Sequence, residues 1–254
     1  HKLFLFFRLL LGFLFFAFNL VDADGINGSQ GTQPALAQGA LVVDTTNDVV
    51  DGDATSISTL LANKGADGFI SLREAVIASN NTSGNDTLNL AAGTYTLTIV
   101  GAGDDASATG DIDIQTDITI AGAGMASTII SGGGIDRVIE VDGSGNLTLA
   151  DVRLTGGSIN NDGGGLLVEE VGGIATLTRV DITGNTISGG GRIGGGIHNV
   201  GTLTLTDSLV HANTATGSDG GGVSNLGSAT ITRSSIFGNS ARYGGGIHQL
   251  AGAM

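Results

Sequence analysis

The sequence predicts an all-β chain wound as a parallel β-solenoid, and three observations predict it. Short apolar runs recur at a near-constant interval: Leu149, Leu177 and Leu205 lie 28 residues apart, and Ile231 follows after 26. Each run alternates apolar with polar residues, the period-two pattern of a strand. A triple glycine keeps the same beat, at Gly163–Gly165, Gly194–Gly196, Gly220–Gly222 and Gly244–Gly246. A repeat in the twenties with β-type alternation marks stacked coils, each of which buries its apolar row only against its neighbours.

Composition bounds the chemistry. After residue 18 the only aromatic rings of Phe, Tyr and Trp type are Phe69, Phe237, Tyr95 and Tyr243, so the core must be Val, Ile, Leu and Ala. Those residues suit narrow, repetitive β-layers. A net charge of −14 with 10 Lys and Arg disfavours nucleic acid or an anionic membrane as partner. The absence of cysteine removes disulfides, thiolate catalysis and thiolate metal sites together.

In chain order, residues 1–23 read as an export signal. Lys2 and Arg8 form a basic flank, Leu9–Phe18 an apolar stretch, and Val21-Asp22-Ala23 and Ala35-Leu36-Ala37 two cleavage candidates. A signal anchor is the rival reading, because Leu3–Leu20 approaches spanning length. The start at His1 and the stop at Met254, shortly after a triple glycine, suggest a segment of a longer protein. Residues 24–39 hold the only proline and form a linker. Residues 40–110 form an N-terminal cap with the first strands, and residues 111–254 the solenoid. Ala40–Val43 is a short strand followed by an acidic loop with Asp44, Asp48, Asp51 and Asp53. Ser71–Ser79 is a helix, with Ser71 as N-cap and Glu74 three residues on as in a capping box. From Thr87 onward, segments such as DIDI and RVIEV are strand-like and interrupted by glycine.

Ile70–Val76 (ISLREAV), Asn85–Thr98 (NDTLNLAAGTYTLT) and the downstream GGGI-H-N-x-G-x-L-T-L pattern carry a family likeness. Together they resemble the CSLREA-type domain of bacterial surface proteins, followed by a right-handed parallel β-helix of pectate-lyase-like shape. The likeness covers about residues 40–254. It departs from the pattern at Ile70, which stands at the motif's cysteine position, so no cysteine linkage is available. The resemblance implies a secreted or cell-surface location and brings no shared activity.

Alignment of the repeats gives ladders of like residues: Leu149, Leu177, Leu205, Ile231; Leu154, Ile182, Val210, Ile236; and Leu147, Ala175, Leu203, Ala229. Asn185, Asn213 and Asn239 also align and predict an amide ladder at a turn. One corner position reads Asp151, Arg179, Asp207, Arg233, alternating in sign from coil to coil, and Arg153 aligns with Asp181. Opposite charges on adjacent rungs support stacking and like charges oppose it, so the alternation fixes register.

A polysaccharide-cleaving β-helix needs convergent carboxylates or calcium-binding carboxylates with a basic residue. The arginines outside the ladders are Arg137, Arg192 and Arg242, and the free carboxylates are Asp136, Asp142, Asp162, Glu169, Glu170 and Asp219. None of these carboxylates recurs at one aligned position beside an arginine, so no catalytic residue is assigned. Asp104, Asp105, Asp111 and Asp113 read as a solvated loop. His198 and His248 occupy equivalent positions two rungs apart with Ser224 between them, too far to share a metal. His211 falls on another face.

Asn63–Glu74 matches part of a calcium loop, so Asn63, Asp67, Ser71 and Glu74 are weak calcium candidates. Gly65 stands where a ligand is needed, and no other cofactor is expected. The sequence thus points to a non-catalytic, adhesin-like scaffold contacting extracellular polysaccharide or a cell-surface or matrix component. An extracellular lyase or glycoside hydrolase, and a spacer for a further domain, are the alternatives.

Overall fold

The computed structural model describes residues 40–250, apart from 102, 104, 170, 171, 190 and 192. The expected export signal and linker, with Asp104, Glu170 and Arg192, lie outside the described residues. An opening strand β1 (Leu41–Val43) leads into helices α1 (Ile57–Ala62) and α2 (Leu72–Asn80). Six coils follow, each adding one strand to each of three parallel sheets. The first coil is β2 (Asn85–Leu90), β3 (Gly93–Thr96) and β4 (Ile112–Ile114); the second is β5 (Asp117–Ala121), β6 (Thr128–Ser131) and β7 (Ile139–Val141). The third adds β8 (Asn146–Ala150), β9 (Arg153–Thr155), β10 (Ser158–Ile159) and β11 (Leu166–Val168). The fourth runs β12 (Ile174–Thr178), β13 (Asp181–Thr183), β14 (Thr186–Ile187) and β15 (Ile197–Asn199). The fifth is β16 (Thr202–Thr206), β17 (Leu209–His211), β18 (Thr214–Asp219) and β19 (Val223–Asn225). The sixth is β20 (Ser228–Thr232), β21 (Ser235–Phe237), β22 (Ser240–Tyr243) and β23 (Ile247–Gln249).

The chain is therefore an all-β parallel solenoid. Sheet one stacks β1-β2-β5-β8-β12-β16-β20, sheet two β3-β6-β9-β13-β17-β21, and sheet three β4-β7-β11-β15-β19-β23. A narrower fourth sheet, β10-β14-β18-β22, begins only in the third coil and has no counterpart in the expected strands. The apolar ladders form in the expected register, and they reach further back. Leu41, Leu88 and Ile120 extend the Leu149 row, and Tyr95 and Ile130 extend the Leu154 row. Coil one starts at Asn85, so it spans the expected division between residues 110 and 111.

Polar ladders stack inside the same frame. Asn185 donates from its backbone N–H and from Nδ2 to Asn213 Oδ1, each at 3.0 Å, and Asn213 repeats both bonds to Asn239. Each Nδ2 also reaches a carbonyl of the preceding coil, Leu154 O and Ile182 O respectively. A second amide row, Asn199 to Asn225 to Gln249, was not foreseen. At the corner after sheet one, Asp151, Arg179, Asp207 and Arg233 all take positive φ, near 50–60°. There they pair by twos: Arg179 with Asp151, and Arg233 with Asp207 at 2.6 Å. Arg153 pairs with Asp181 at 2.8 Å, which His211 also approaches at 2.9 Å.

The helical segment closes the open edge of sheet three. Asn80 donates from Nδ2 to Asp113 O and accepts from Gln115 N–H, at 2.7 and 3.0 Å, so its amide mimics a neighbouring strand along β4. Covering this edge removes a site for unwanted strand pairing. Helix α1 was not expected; its capping box uses Ser56 and Thr59 instead of the Glu or Gln that sequence patterns look for.

The buried amide ladder should dominate stability over the exposed charge ladder. Asn213→Ala leaves Asn185 without its acceptor and should cost roughly 1–3 kcal/mol per buried group left unpaired. Arg233→Ala, at an exposed pair, should leave the midpoint nearly unchanged. Urea denaturation of both variants checks the ordering.

Candidate functional site

The four calcium candidates are placed for structural roles. Ser71 caps α2, accepting from Glu74 N–H and donating to Val49 O at 2.6 Å. Glu74 is buried, and its two oxygens accept from the backbone N–H groups of Asp51, Gly52 and Ser71. Asn63 caps the C-terminus of α1, and exposed Asp67 accepts from Phe69 N–H. Among the described residues these four do not converge as a carboxylate cluster.

The neighbouring Arg73 belongs to the same motif and is wholly buried. Its Nε and Nη2 grip Asp48 at 2.7 and 3.2 Å. Its remaining bonds go to the carbonyls of Ser107, Gly110 and Asp111 at 2.8, 2.7 and 3.1 Å. The planar guanidinium fork is what makes five such bonds from one side chain possible. Arg73 thereby ties α2 to the long loop between β3 and β4, and that loop frames the site.

The site lies on the outer side of sheet three. The middle residue of each of its strands points away from the core, and register lines up Asp113, Glu140, Leu167, His198, Ser224 and His248. Outward residues of a sheet are ordinarily wet, yet all of these except His248 are buried. Two devices cover them. In the later coils the first glycine of each triplet lies on the outward residue: a Cβ on Gly194 would stand 2.8 Å from His198 Cα, and one on Gly220 would stand 2.7 Å from Ser224 Cβ. Over β4 the covering is the β3–β4 loop, where Ser107 N–H donates to Asp113 Oδ2 at 2.6 Å. Asp113 N–H returns a bond to Ser107 Oγ at 2.7 Å.

Asp111 and Asp113 are therefore not part of a solvated loop. Asp113 sits in β4 with no exposed surface, and Asp111 immediately before it is 3% exposed. Asp113 stacks directly against Glu140 of the next coil, so two carboxylates do recur at one aligned position beside an arginine, Arg137. Arg137 Nε lies 2.8 Å from Asp111 Oδ2, and Nη1 lies 2.9 Å from Glu140 Oε2. Neither N–H is aligned as a hydrogen bond, so the guanidinium supplies charge without satisfying direction. One oxygen each from Asp111, Asp113 and Glu140 lies within 4.8 Å of the others, and Glu140 forms a second such group with Asp142 and Glu169. A cleft of about 430 Å³ runs alongside, lined by Ile135, Asp136, Arg137, Ser158, Ile159 and Asn160.

Burial dominates the electrostatics. It lifts the Asp113 carboxyl to about 8, helped by the charge of Asp111. It lifts Glu140 to about 8 against the pull of Arg137, and Asp111 to about 6, again opposed by Arg137. Burial pushes His198 down from the ordinary imidazole value, while Asp162 pulls it up. The arrangement can retain protons at neutral pH or exchange them for another positive charge.

Glu140 was missed because its register with Asp113 crosses the β3–β4 loop, outside the regular repeat. The signal was present in DIDI and RVIEV, two strand-like runs with an acid at the same central position. Asp136 and Asp142 lie beside the cluster, whereas Asp219 and Arg242 fall on β18 and β22 of the fourth sheet. Against known proteins, the chain matches no family model, no curated protein and no solved structure.

Metal-free protein should lose stability as pH rises from about 6.5 to about 8.5. Acids with raised pKa hold more protons folded than unfolded. Their contribution is thus fully present below the ordinary carboxylate range and lost through about 8. His198 works oppositely only below about 6.5, and the lowered Asp44 and Asp48 matter only below about 4. The melting midpoint measured in chelator should therefore fall across that window, and the fall should flatten in Asp113→Asn/Glu140→Gln.

Proposed function

We propose that this chain is a rigid, non-catalytic scaffold of the exported bacterial surface type, contacting extracellular polysaccharide or a matrix component through a side face. The observation that carries this reading is a threonine ladder on the outer face of sheet one. Thr87, Thr119, Thr148, Thr176, Thr204 and Thr230 stand in register over six coils. None of their hydroxyls hydrogen-bonds to another described residue, and the face between them carries few charges. Hydroxyl and methyl groups alternating on a flat, regular surface offer a glycan both polar partners and apolar contact. The N-terminal apolar stretch supports export, and the ISLREAV segment supports kinship with CSLREA-type surface domains.

A polysaccharide lyase or glycoside hydrolase is the second reading, favoured by Asp113 and Glu140 on adjacent coils with raised pKa values. Its difficulty is access, since Asp113 has no exposed surface and Glu140 is 7% exposed. Scission requires the acid to touch the glycosidic oxygen.

The test uses the full chain on a panel of immobilised pectic, other uronate and matrix glycans. At least one should bind, and Thr176→Glu/Thr204→Glu should weaken it by tenfold or more, with no unsaturated products or new reducing ends. Binding indifferent to that double substitution rejects the threonine face. Cleavage of any polymer rejects the non-catalytic reading.

A further inference from the structure

The geometry points to a hard divalent cation, calcium by preference, held by Asp111, Asp113 and Glu140, locking the β3–β4 loop and the helical cap onto the first two coils. Three independent observations converge on it. The first is spacing. Ligand oxygens on opposite sides of a calcium ion at 2.3–2.6 Å stand up to about 5 Å apart, and these three carboxylates each offer an oxygen within 4.8 Å of the others.

The second is an unmet group. Asp113 is completely buried, and its Oδ1 has no hydrogen-bond partner among the described residues. A buried acceptor left this way is costly, and buried polar atoms without partners mark an unplaced ion or water. Ser107 N–H occupies Oδ2, which orients the carboxylate and leaves Oδ1 free within the cluster.

The third is charge. Asp111, Asp113 and Glu140 carry three negative charges when ionised, and Arg137 supplies one positive charge. Arg73 is engaged with Asp48 and contributes only at longer range. Two negative charges remain, the amount a divalent ion neutralises. Asp136, Asp142 and Glu169 face the cluster as well, and each adds negative potential.

The ligand set is all oxygen, which selects calcium, magnesium or manganese over softer metals. Magnesium demands a tight octahedron at 2.0–2.1 Å. The three acids come from two different coils at wider spacing, a fit for the larger ion. A route exists from the surface, since the second carboxylate group runs from exposed Glu169 through half-buried Asp142 to Glu140. The bound ion bridges β4 to β7, and Arg73 passes that constraint to α2 through the carbonyls of Ser107, Gly110 and Asp111.

The experiment is a thermal melt and titration calorimetry of the full chain in chelator-treated buffer at neutral pH, with calcium chloride or magnesium chloride added. Calcium should raise the midpoint by about 5–10 °C at roughly a hundredfold excess over Kd. It should also displace protons, seen as a binding heat that changes between buffers of different ionisation enthalpy. Asp113→Asn/Glu140→Gln removes buried charge, so it should fold without calcium and lose the response. Asp207→Asn, at an exposed ladder pair, should keep it. Absence of both heat and shift in the wild-type chain at millimolar calcium overturns the proposal, whatever the variants do. So does a calcium response that survives the double substitution, and a stronger response to magnesium overturns the preference for calcium. None of these outcomes depends on glycan binding.

Discussion

Parallel in-register stacking is the constraint on which the rest of this molecule depends. With rungs about 4.8 Å apart, every side chain lies against the residue at its own position in the coils above and below. A neutral residue profits from meeting its like. Leucine on leucine joins into a core, and asparagine on asparagine passes a hydrogen bond from coil to coil. A charged residue meeting its like is repelled, so charge is where stacking must find a special solution.

The chain finds three. At the corner after sheet one it alternates sign, and the positive φ of Asp151, Arg179, Asp207 and Arg233 swings the pairs outward into water. On sheet two it sets Arg153 over Asp181 and lets His211 share the carboxylate. On sheet three it does neither. Asp113 sits over Glu140, both are covered, and the one arginine at hand is misaligned for hydrogen bonds. The misfit is local, since the next residues in the row are Leu167, His198 and Ser224. Where the remainder of the stack resolves its charges, this one place leaves them to a proton or a cation.

What the sequence made legible follows from the same constraint. The four C-terminal coils keep intervals near 28 residues, so simple alignment recovers their ladders, their asparagines and their alternating charges. The first coils do not: Asn85 to Asp117 spans 32 residues, and a long loop separates β3 from β4. Register is lost there, and with it the pairing of Asp113 with Glu140. Burial on sheet three was illegible for another reason. Alternation says which way a side chain points, and it does not say whether a glycine backbone lies on top of it. The triple glycines announce turns, and only the first of each also serves as a lid for the row behind it.

The cap shows why the two ends of this account belong together. SLREA reads as a helix start, and Ser71 and Glu74 do fulfil that role. The letter between them has a longer reach. Arg73 spends its donors on Asp48 and on three carbonyls of the loop that roofs Asp113. A wholly buried guanidinium is tolerable only when every N–H is engaged, so the loop cannot lift without stranding it. The roof over the acidic pair is thus held shut by the helix that closes the edge of the solenoid. Substituting lysine at position 73 keeps the charge and loses the fork. Arg73→Lys should therefore destabilise the fold by about 3–5 kcal/mol in urea denaturation and open residues 97–111 to limited proteolysis first. Equal stability with an unchanged cleavage pattern would mean that roof and cap are independent, and that the acidic pair is buried by the loop alone.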